Sequence, residues 1–442
     1  MAIETKIGKY RWVICALLFF ATTINYMDRQ VIGILRPVLE HELHWANPIN
    51  IDLEYSYITT AFTFAYALGV LLFGWFIDKV GTKKGYAISV GIWGFSSLAH
   101  ALARTSFGLG VARVGLGIGE SGNFPAANKT IAEWFPKKER ALATGIFNSG
   151  ANIGAVMAPL IIPWAIYFFA ADPAHPFWQI GFIITGLCDL IWLGFWLVIY
   201  KKPSDSKKLT KAEFDYIYSD TDEQKASTEK VPWGKLFKYR QTWAFFIGKF
   251  LSDVPWIFYL FWLPIYIKDK YHVDIKDIAH FALPLIIIYS MTTFGSVGGG
   301  WFSSHLLEKG WTINRARKTA MLCFAIAVLP IVAVRFVDLW PAVLLLGIAT
   351  AAHQAWSANM LTTASDMFPR KVVGSVTSIG TMGGFTASAL FQLLVGYVLN
   401  SFRAEGDVET GYLILFVLCS CMYLLALLLF HLLVPKMDVA DI

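Results

Sequence analysis

The chain contains twelve apolar segments, each close to the length of about 20 residues that a helix needs to cross a bilayer. Only 15% of its residues are charged, against about 25% in soluble domains, and the mean hydropathy is +0.54. A soluble core could not bury this much apolar surface, so we interpret the medium around most of the chain as lipid. The predicted spans are 12–35, 56–77, 85–103, 106–127, 141–168, 179–200, 242–267, 279–304, 319–337, 340–364, 373–400 and 411–434.

A polar segment over about 201–240 divides these spans into two groups of six, and its mixed charges indicate a linker with some amphipathic helix. We therefore predict an all-α membrane protein with a six-helix bundle over 1–200, a linker over 201–240 and a second bundle over 241–442. Lys and Arg concentrate at the N-terminus, in the linker and in the loops on the same side. The positive-inside rule then predicts that the linker and both termini are cytoplasmic.

Short motifs recur about 230 residues apart. Residues 133–138 (EWFPKK) recur as 366–371 (DMFPRK), and 74–76 (GWF) recur as 300–302. Two parallel six-helix repeats are typical of transporters whose substrate site lies near the bilayer midplane between the halves. The alternative is that the Phe-Pro-basic motif is only a favourable turn sequence, but the shared spacing favours a repeat.

Charged residues lie inside several of the predicted spans, and those in the first and fourth spans form two pairs of an acid and a base. Asp28 and Arg29 are adjacent in the first, and Arg113 and Glu120 lie seven positions apart in the fourth, on nearly the same helix face. An Asp or Arg at a helix centre costs roughly 2.5–3.5 kcal/mol on insertion scales, so such residues usually mark a substrate or proton path. A structural ion pair that fixes helix packing is the alternative for both pairs.

The chemistry of these side chains suits an anion carrier. A carboxylate substrate needs a fixed cation, and the planar guanidinium of Arg29 offers a bidentate fork for it. A carboxyl group removed from water binds a proton more readily, which makes Asp28 and Glu120 candidate proton carriers. The acid beside Arg29, Asp28, would oppose an anion unless it is protonated or turned away. This conflict would couple substrate binding to proton binding.

Residues 74–84 (GWFIDKVGTKK) resemble the loop signature of the major facilitator superfamily between its second and third helices. Residues 134–141 (WFPKKERA) and 26–29 (YMDR), together with Arg113 and Glu120, resemble its organic anion:cation symporter branch. Within that branch the chain resembles bacterial hexuronate transporters, through 352–355 (AHQA) and the residues 250–256 (FLSDVPW).

The resemblance implies specific roles for the buried charges. Asp28 and Glu120 would carry protons, Arg29 would bind the substrate carboxylate, and Arg113 would be the partner that resets Glu120. Where aldonate transporters of the branch have Gln and Asn, this chain has Ala151 and Thr381, which favours a different sugar acid. The further predicted substrate contacts are Tyr26, Tyr66, Asn148, Asn152, Lys249, His353, Gln354 and Thr381.

Each of these contacts has a plainer alternative. Tyr66 could be a core or interface residue. Asn148 and Asn152, which share a helix face, could serve helix–helix hydrogen bonding instead of hydroxyl recognition. Lys249 could pair with Asp253 four residues later or extend its amine to the membrane interface. A lone His353 is more often a packed residue than a proton relay.

Other features concern architecture. Pro255 and Pro264 are expected to break the seventh span. Asp78, at the cytoplasmic end of the second span, is expected to hold the inward gate by pairing with a base such as Arg140. The five cysteines lie in apolar spans without metal-ligand spacing, and the glycines at 295–300 lack a nucleotide-loop signature.

We therefore expect a proton-coupled transporter of the bacterial inner membrane that imports a sugar acid, with a hexuronate as the preferred substrate. Its partners would be the organic anion, protons and the lipid bilayer, and we expect a monomer that uses no cofactor, binds no nucleic acid and is not an enzyme. The alternatives are the same machinery with an aldonate, an aldarate or another organic anion, and a sugar-acid sensor that binds without transport.

Overall fold

The computed structural model describes residues 8–172, 175–219 and 232–442, which are almost entirely helical. These residues contain no β-strand, only two isolated bridges. The helices are α1 (Tyr10–Glu42), α2 (Ile51–Val80), α3 (Thr82–His100), α4 (Ser106–Glu120), α5 (Asn123–Trp134), α6 (Lys137–Phe168), α7 (Gln179–Ile199), α8 (Lys211–Ile217), α9 (Trp233–Leu236), α10 (Arg240–Tyr271), α11 (Leu283–Glu308), α12 (Ile313–Val328), α13 (Leu339–Met367), α14 (Arg370–Ala404) and α15 (Val408–Leu433).

The predicted all-α membrane fold is confirmed, and its helix order fits twelve crossings. In the part of the chain that the structure describes, nine helices are long and apolar enough to span a membrane. The other three crossings are α1, α3 and the consecutive helices α4 and α5. Two of these three carry the buried charges, because α1 contains Asp28 and Arg29 and α4 contains Arg113 and Glu120.

Two helices differ from the prediction. The fourth span is interrupted after Glu120, where α4 ends, and α5 begins at Asn123. At this break the Ser89 hydroxyl of α3 donates a hydrogen bond to the Gly119 carbonyl at 2.7 Å. The predicted break of the seventh span at Pro255 and Pro264 is wrong, since α10 runs without interruption. Pro264 leaves the Leu260 carbonyl without its helical N–H, and the carbonyls on either side of it, those of Tyr259 and Phe261, accept from the hydroxyls of Tyr289 and Tyr55.

We refer to α1 to α7 as the N-terminal half and to α10 to α15 as the C-terminal half. Within the halves α1 packs on α6, α3 on α7 and α11 on α13. The halves meet where α2 packs on α14, α6 on α11 and α1 on α10. We call the end of the bundle that carries Tyr10 and the linker the linker end, and the opposite end, where α1 finishes and α2 begins, the distal end.

The described part of the linker is attached to the N-terminal half. Glu213 of α8 is buried and accepts hydrogen bonds from the backbone N–H and the guanidinium of Arg11. The same guanidinium binds Glu139 of α6 at 2.7 Å. Part of the predicted mixed-charge run, residues 220–231, lies outside the described residues.

Candidate functional site

The centre of the N-terminal half holds an ion pair between two of the predicted residues. The Arg29 Nε donates to Glu120 Oε2 at 2.6 Å, and both side chains are at most 2% exposed. Two polar atoms of this pair, Arg29 Nη2 and Glu120 Oε1, have no hydrogen-bond partner among the described residues. A buried charge with unused donors is poised to take a second ligand.

Aromatic rings surround this ion pair. The Arg29 guanidinium lies over Tyr66 at 4.6 Å, over Tyr26 at 4.7 Å and over Phe62 at 5.7 Å, measured to the ring centroids. Tyr66 in turn packs on Phe385 of α14, with 4.4 Å between centroids, so the surround reaches the C-terminal half. Rings of this kind hold a guanidinium by cation–π attraction and also offer faces on which a sugar can lie.

Arg113 is the other buried cation of the N-terminal half. It lies over the Phe62 ring at 5.5 Å, and none of its three guanidinium nitrogens has a hydrogen-bond partner within the described ranges. Its position is close enough to Asp28 and Glu120 for electrostatic attraction. The sequence predicted Arg113 as the partner of Glu120, whereas in this conformation Glu120 is bound to Arg29.

Asp28 points away from Arg29 into the space between α3 and α7. Its Oδ1 accepts a hydrogen bond from Ser97 at 2.7 Å, and the Ser97 hydroxyl lies 3.0 Å from that of Thr185. Asp189 of α7 faces the same space and is fully buried. Asp189 is not among the residues predicted from the sequence, although the rule applied to Asp28, an acid within an apolar span, applies equally to it.

The C-terminal half contributes a second ion pair. Lys249 Nζ donates to Asp253 Oδ1 at 2.7 Å, one turn apart on α10, and both side chains are largely buried. Gly380 and Gly384 of α14 make room for this pair, since a Cβ on Gly384 would lie 2.2 Å from Asp253 Oδ2. The pairing that the sequence left as an alternative for Lys249 is therefore formed, next to the predicted contact Thr381.

The remaining predicted contacts fall into two groups. His353 is packed, because it stacks on Trp256 at 5.3 Å and its Nδ1 lies 2.8 Å from the Tyr423 hydroxyl. Asn152 accepts a hydrogen bond from Thr292 of α11 and so joins the halves. Five of the predicted contacts remain partly or fully accessible, namely Tyr26, Asn148, Asn152, Gln354 and Thr381.

At the linker end the two predicted gating residues do not meet. Asp78 is bound by Lys129 of α5 at 2.8 Å. Arg140 instead donates to the carbonyl oxygens of Phe135 and Ala132, at 2.9 and 3.0 Å, where α5 ends. Its guanidinium caps that helix, which explains why it does not reach Asp78.

A network of charged residues that the sequence did not predict closes the distal end. Asp52 of α2, with no exposed side-chain surface, binds Arg36 of α1 at 3.0 Å and Arg403 of α14 at 2.6 Å. Arg403 also binds Asp269 of α10 at 2.5 Å, so the network crosses between the halves. Each residue of this network lies near the end of a membrane span. In the sequence, a single charge at such a position cannot be distinguished from an ordinary charged residue of a loop.

Further contacts place the closure at this end. Asn400 donates to Asn50, Thr60 donates to the Ala389 carbonyl, and Tyr55 donates to the Phe261 carbonyl. Among the described residues, the hydrogen bonds that join the two halves lie between mid-membrane and the distal end. Beside the network is a cleft of about 710 Å³ lined in part by His41, Lys268 and His272.

Comparisons with known proteins agree with this architecture. Residues 18–392 match the family model of the Major Facilitator Superfamily. The chain is 34% identical over 402 residues to the hexuronate transporter of Escherichia coli (strain K12), covering 90% of this chain and 89% of that protein. It is 34% identical over 312 residues to the galacturonate transporter of Dickeya chrysanthemi, covering 70% of this chain and 86% of that protein.

Among solved structures, the crystal structure of a D-xylose-proton symporter superposes with a TM-score of 0.76 at 15% identity, over 98% of this chain and all of that chain. At that identity the likeness concerns the fold alone. The relatives and the fold neighbours are transporters, not enzymes. The length of the family match and the identity to the curated relatives together establish that this chain is a multi-pass membrane transporter that belongs to the Major Facilitator Superfamily.

Proposed function

We propose that this protein is a proton-coupled symporter that imports a hexuronate across the bacterial inner membrane by alternating access. The observation that carries the proposal is the buried Arg29–Glu120 ion pair in its aromatic surround, in a chain related along most of its length to a hexuronate transporter. A hexuronate presents one carboxylate, several hydroxyl groups and an apolar ring face, and this site offers a chemical partner for each.

Coupling follows from competition for Arg29. Glu120 occupies the guanidinium Nε, while Nη2 is unused. When Glu120 takes a proton, its attraction for Arg29 falls, and the substrate carboxylate can take its place with a bidentate pair of hydrogen bonds. Proton and substrate then bind together, because protonation of Glu120 weakens its bond to Arg29, and substrate bound to Arg29 leaves Glu120 without its cation.

The rest of the substrate would contact both halves. Tyr26 and Tyr66 are placed to hold the sugar ring beside Arg29. Lys249 and the accessible Asn148, Gln354 and Thr381 would bind hydroxyl groups. His353 and Asn152 would support the site through their own packing and hydrogen bonds. This division assigns charge recognition to the N-terminal half and hydroxyl recognition mainly to the C-terminal half.

Access would alternate by rocking of the two halves about this site. With the linker and both termini in the cytoplasm, the distal network of Asp52, Arg403 and Asp269 is the outer closure, and the conformation is closed to the outside. In the opposite state Asp78 and Arg140 would contribute to closure at the linker end. We propose that the protein works as a monomer in this cycle.

The test is uptake of radiolabelled D-glucuronate and D-galacturonate into proteoliposomes with an imposed inward proton gradient. We expect accumulation that a protonophore abolishes. Glu120→Gln should keep substrate exchange and lose accumulation, whereas Glu405→Gln, an exposed control, should behave like the wild type. Accumulation without any proton dependence would refute the coupling, and uptake of other sugar acids only would refute the substrate.

An aldarate is the second candidate substrate, since relatives at 26% identity include a probable galactarate/D-glucarate transporter of Escherichia coli. An aldarate carries two carboxylates and needs two available cations. Lys249 is bound by Asp253 at 2.7 Å, and the proposed cycle contains no step that releases it as protonation of Glu120 releases Arg29, which supports a substrate with one carboxylate. Competition of galactarate with labelled galacturonate distinguishes the two: a higher affinity for galactarate would favour the aldarate.

A further inference from the structure

Asp189 is a buried acid for which the transport cycle described above has no use. It lies in the middle of α7 within the apolar sequence 183–193 (IITGLCDLIWL) and has no exposed surface. Neither of its carboxylate oxygens has a hydrogen-bond partner among the described residues. A carboxyl group left without partners in the interior of a protein is rare, and each case asks for an explanation.

The explanation lies on α1. The Asp28 carboxyl and the indole N–H of Trp93 on α3 both lie near the Asp189 carboxyl, and neither Asp28 Oδ2 nor Trp93 Nε1 has another hydrogen-bond partner in the described chain. The close approach of α3 makes this possible, because position 94 is glycine and a Cβ there would lie 2.9 Å from the Asp189 Cβ. Ser97 donates to Asp28 Oδ1 at 2.7 Å, which leaves Oδ2 as the oxygen of Asp28 that is free to share a proton.

Two carboxylates in contact in a buried site cannot both stay charged, since nothing screens their repulsion. The cations nearby do not change this. Arg29 is committed to Glu120, and Arg113 makes no hydrogen bond to either acid. His100 is stacked on Phe182 and bonded through Nδ1 to the Ser96 carbonyl. A hydrogen bond between two carboxyl groups also needs a proton as donor, because a carboxylate can only accept.

We propose that Asp28 and Asp189 share one proton and form a proton-binding site separate from Glu120. The loaded pair is one carboxylic acid that donates to one carboxylate, with a net charge of −1. When the proton leaves toward water, two carboxylates remain. Arg113 has three unused nitrogens and is the group that can replace the proton by donating to the pair.

This inference deepens the proposed function and rests on proton coupling there. If Glu120 carries one proton and the pair carries a second, one hexuronate monoanion would enter with two protons. The cycle would then move one net positive charge inward and respond to the membrane potential. At 100 mV the second proton is worth about a 50-fold larger accumulation ratio.

The first test needs no transport. Infrared difference spectra of the purified full-length protein in nanodiscs, recorded over a pH titration, report the C=O stretch of protonated carboxyl groups. We expect a band at neutral pH that is lost in both Asp189→Asn and Asp28→Asn, because the remaining carboxyl then accepts from an amide and ionises. The double variant should show no further loss, and Asp205→Asn, an exposed control, should keep the band. A band that survives Asp189→Asn overturns the proposal.

The second test is the proton-to-hexuronate ratio, obtained in proteoliposomes from the membrane potential at which net flux stops. The ratio should fall from two in the wild type to one in Asp189→Asn, with substrate exchange, which moves no net proton, changed less than about twofold. An unchanged ratio overturns the second site. If the wild type moves no hexuronate at all, the proposed function fails, while the infrared titration still decides whether the two acids share a proton.

Discussion

The two halves of the molecule treat their buried charges differently. In the N-terminal half, Arg113, Asp189 and one nitrogen of Arg29 lack hydrogen-bond partners among the described residues. In the C-terminal half, Lys249 and Asp253 satisfy each other one turn apart, and His353 is held by Trp256 and Tyr423. Charged groups with unused hydrogen-bonding atoms can change partners during a transport cycle. An ion pair in which both groups are satisfied is expected to stay intact. We therefore expect the N-terminal half to couple protons and the C-terminal half to tune recognition.

The largest effect should come from Arg29. Removing one partner of a buried charge pair costs about 2–5 kcal/mol, so Arg29→Ala should lower uptake of subsaturating hexuronate by about 30- to 5000-fold. Arg29→Lys should recover part of it, because it restores the charge without the fork. Initial rates of labelled uptake measure this, with Arg315→Ala, an exposed residue, as control. Uptake by Arg29→Ala within threefold of the wild type would contradict the role of Arg29.

The Lys249–Asp253 pair of the C-terminal half should contribute measurably to the free energy of unfolding. Lys249→Ala leaves a buried carboxylate without its partner and should destabilise the protein by about 3–5 kcal/mol. The double variant Lys249→Ala/Asp253→Ala removes both charges and should lose much less. Thermal unfolding in detergent, followed by tryptophan fluorescence, gives the comparison. Additive losses would mean that the two side chains do not act as a pair.

A smaller effect is expected at the distal network. Arg403 is 40% exposed, so its bond to Asp52 should contribute only about 1 kcal/mol. Its bond to Asp269 lies within the C-terminal half and does not resist separation of the halves, so Arg403→Ala should favour opening roughly fivefold. Ser56 packs against Gly396 at this interface and reports opening as Ser56→Cys, in a background without the native cysteines. Labelling by an impermeant maleimide should accelerate.

The matched control for that experiment is Arg335→Ala, because Arg335 and Asp407 form an ion pair at the same end but within one half. It should leave the labelling rate of Ser56→Cys unchanged. Equal acceleration by both variants would show that the distal charges act on stability in general and not on closure between the halves.

The smallest effect should follow substitution of His353. Its ring is stacked and hydrogen-bonded, and the Asn amide can keep a hydrogen bond to Tyr423, so His353→Asn should change the transport rate less than about threefold, or about 0.6 kcal/mol. The dependence of uptake on pH should keep its shape. A flattened pH profile in this variant would restore His353 as a proton relay and remove the contrast between the halves.

The sequence predicted the all-α fold and the residues at its centre, because apolar length and intramembrane charge are local properties. Partners are not local. Whether Glu120 meets Arg29 or Arg113 depends on the rotation of α1 against α4. Asp52 and Arg403 lie near span termini 351 positions apart, and nothing in either neighbourhood indicates the other. The bonds that Tyr55 and Tyr289 make to α10 beside Pro264 likewise come from other helices and are not visible in the local sequence.

The bond between Arg29 and Glu120 has a consequence for the unloaded carrier. After release of its cargo, a transporter must turn back with its site vacant, and a bare guanidinium would resist enclosure within the membrane. Glu120 gives Arg29 a resident counter-ion of the same chemical kind as the cargo. We expect the site to carry a similar net charge when it is empty and when it holds substrate, so the surrounding helices can close around it in both cases. An acid that is part of the chain would thus allow the empty transporter to return to its starting conformation without bound substrate.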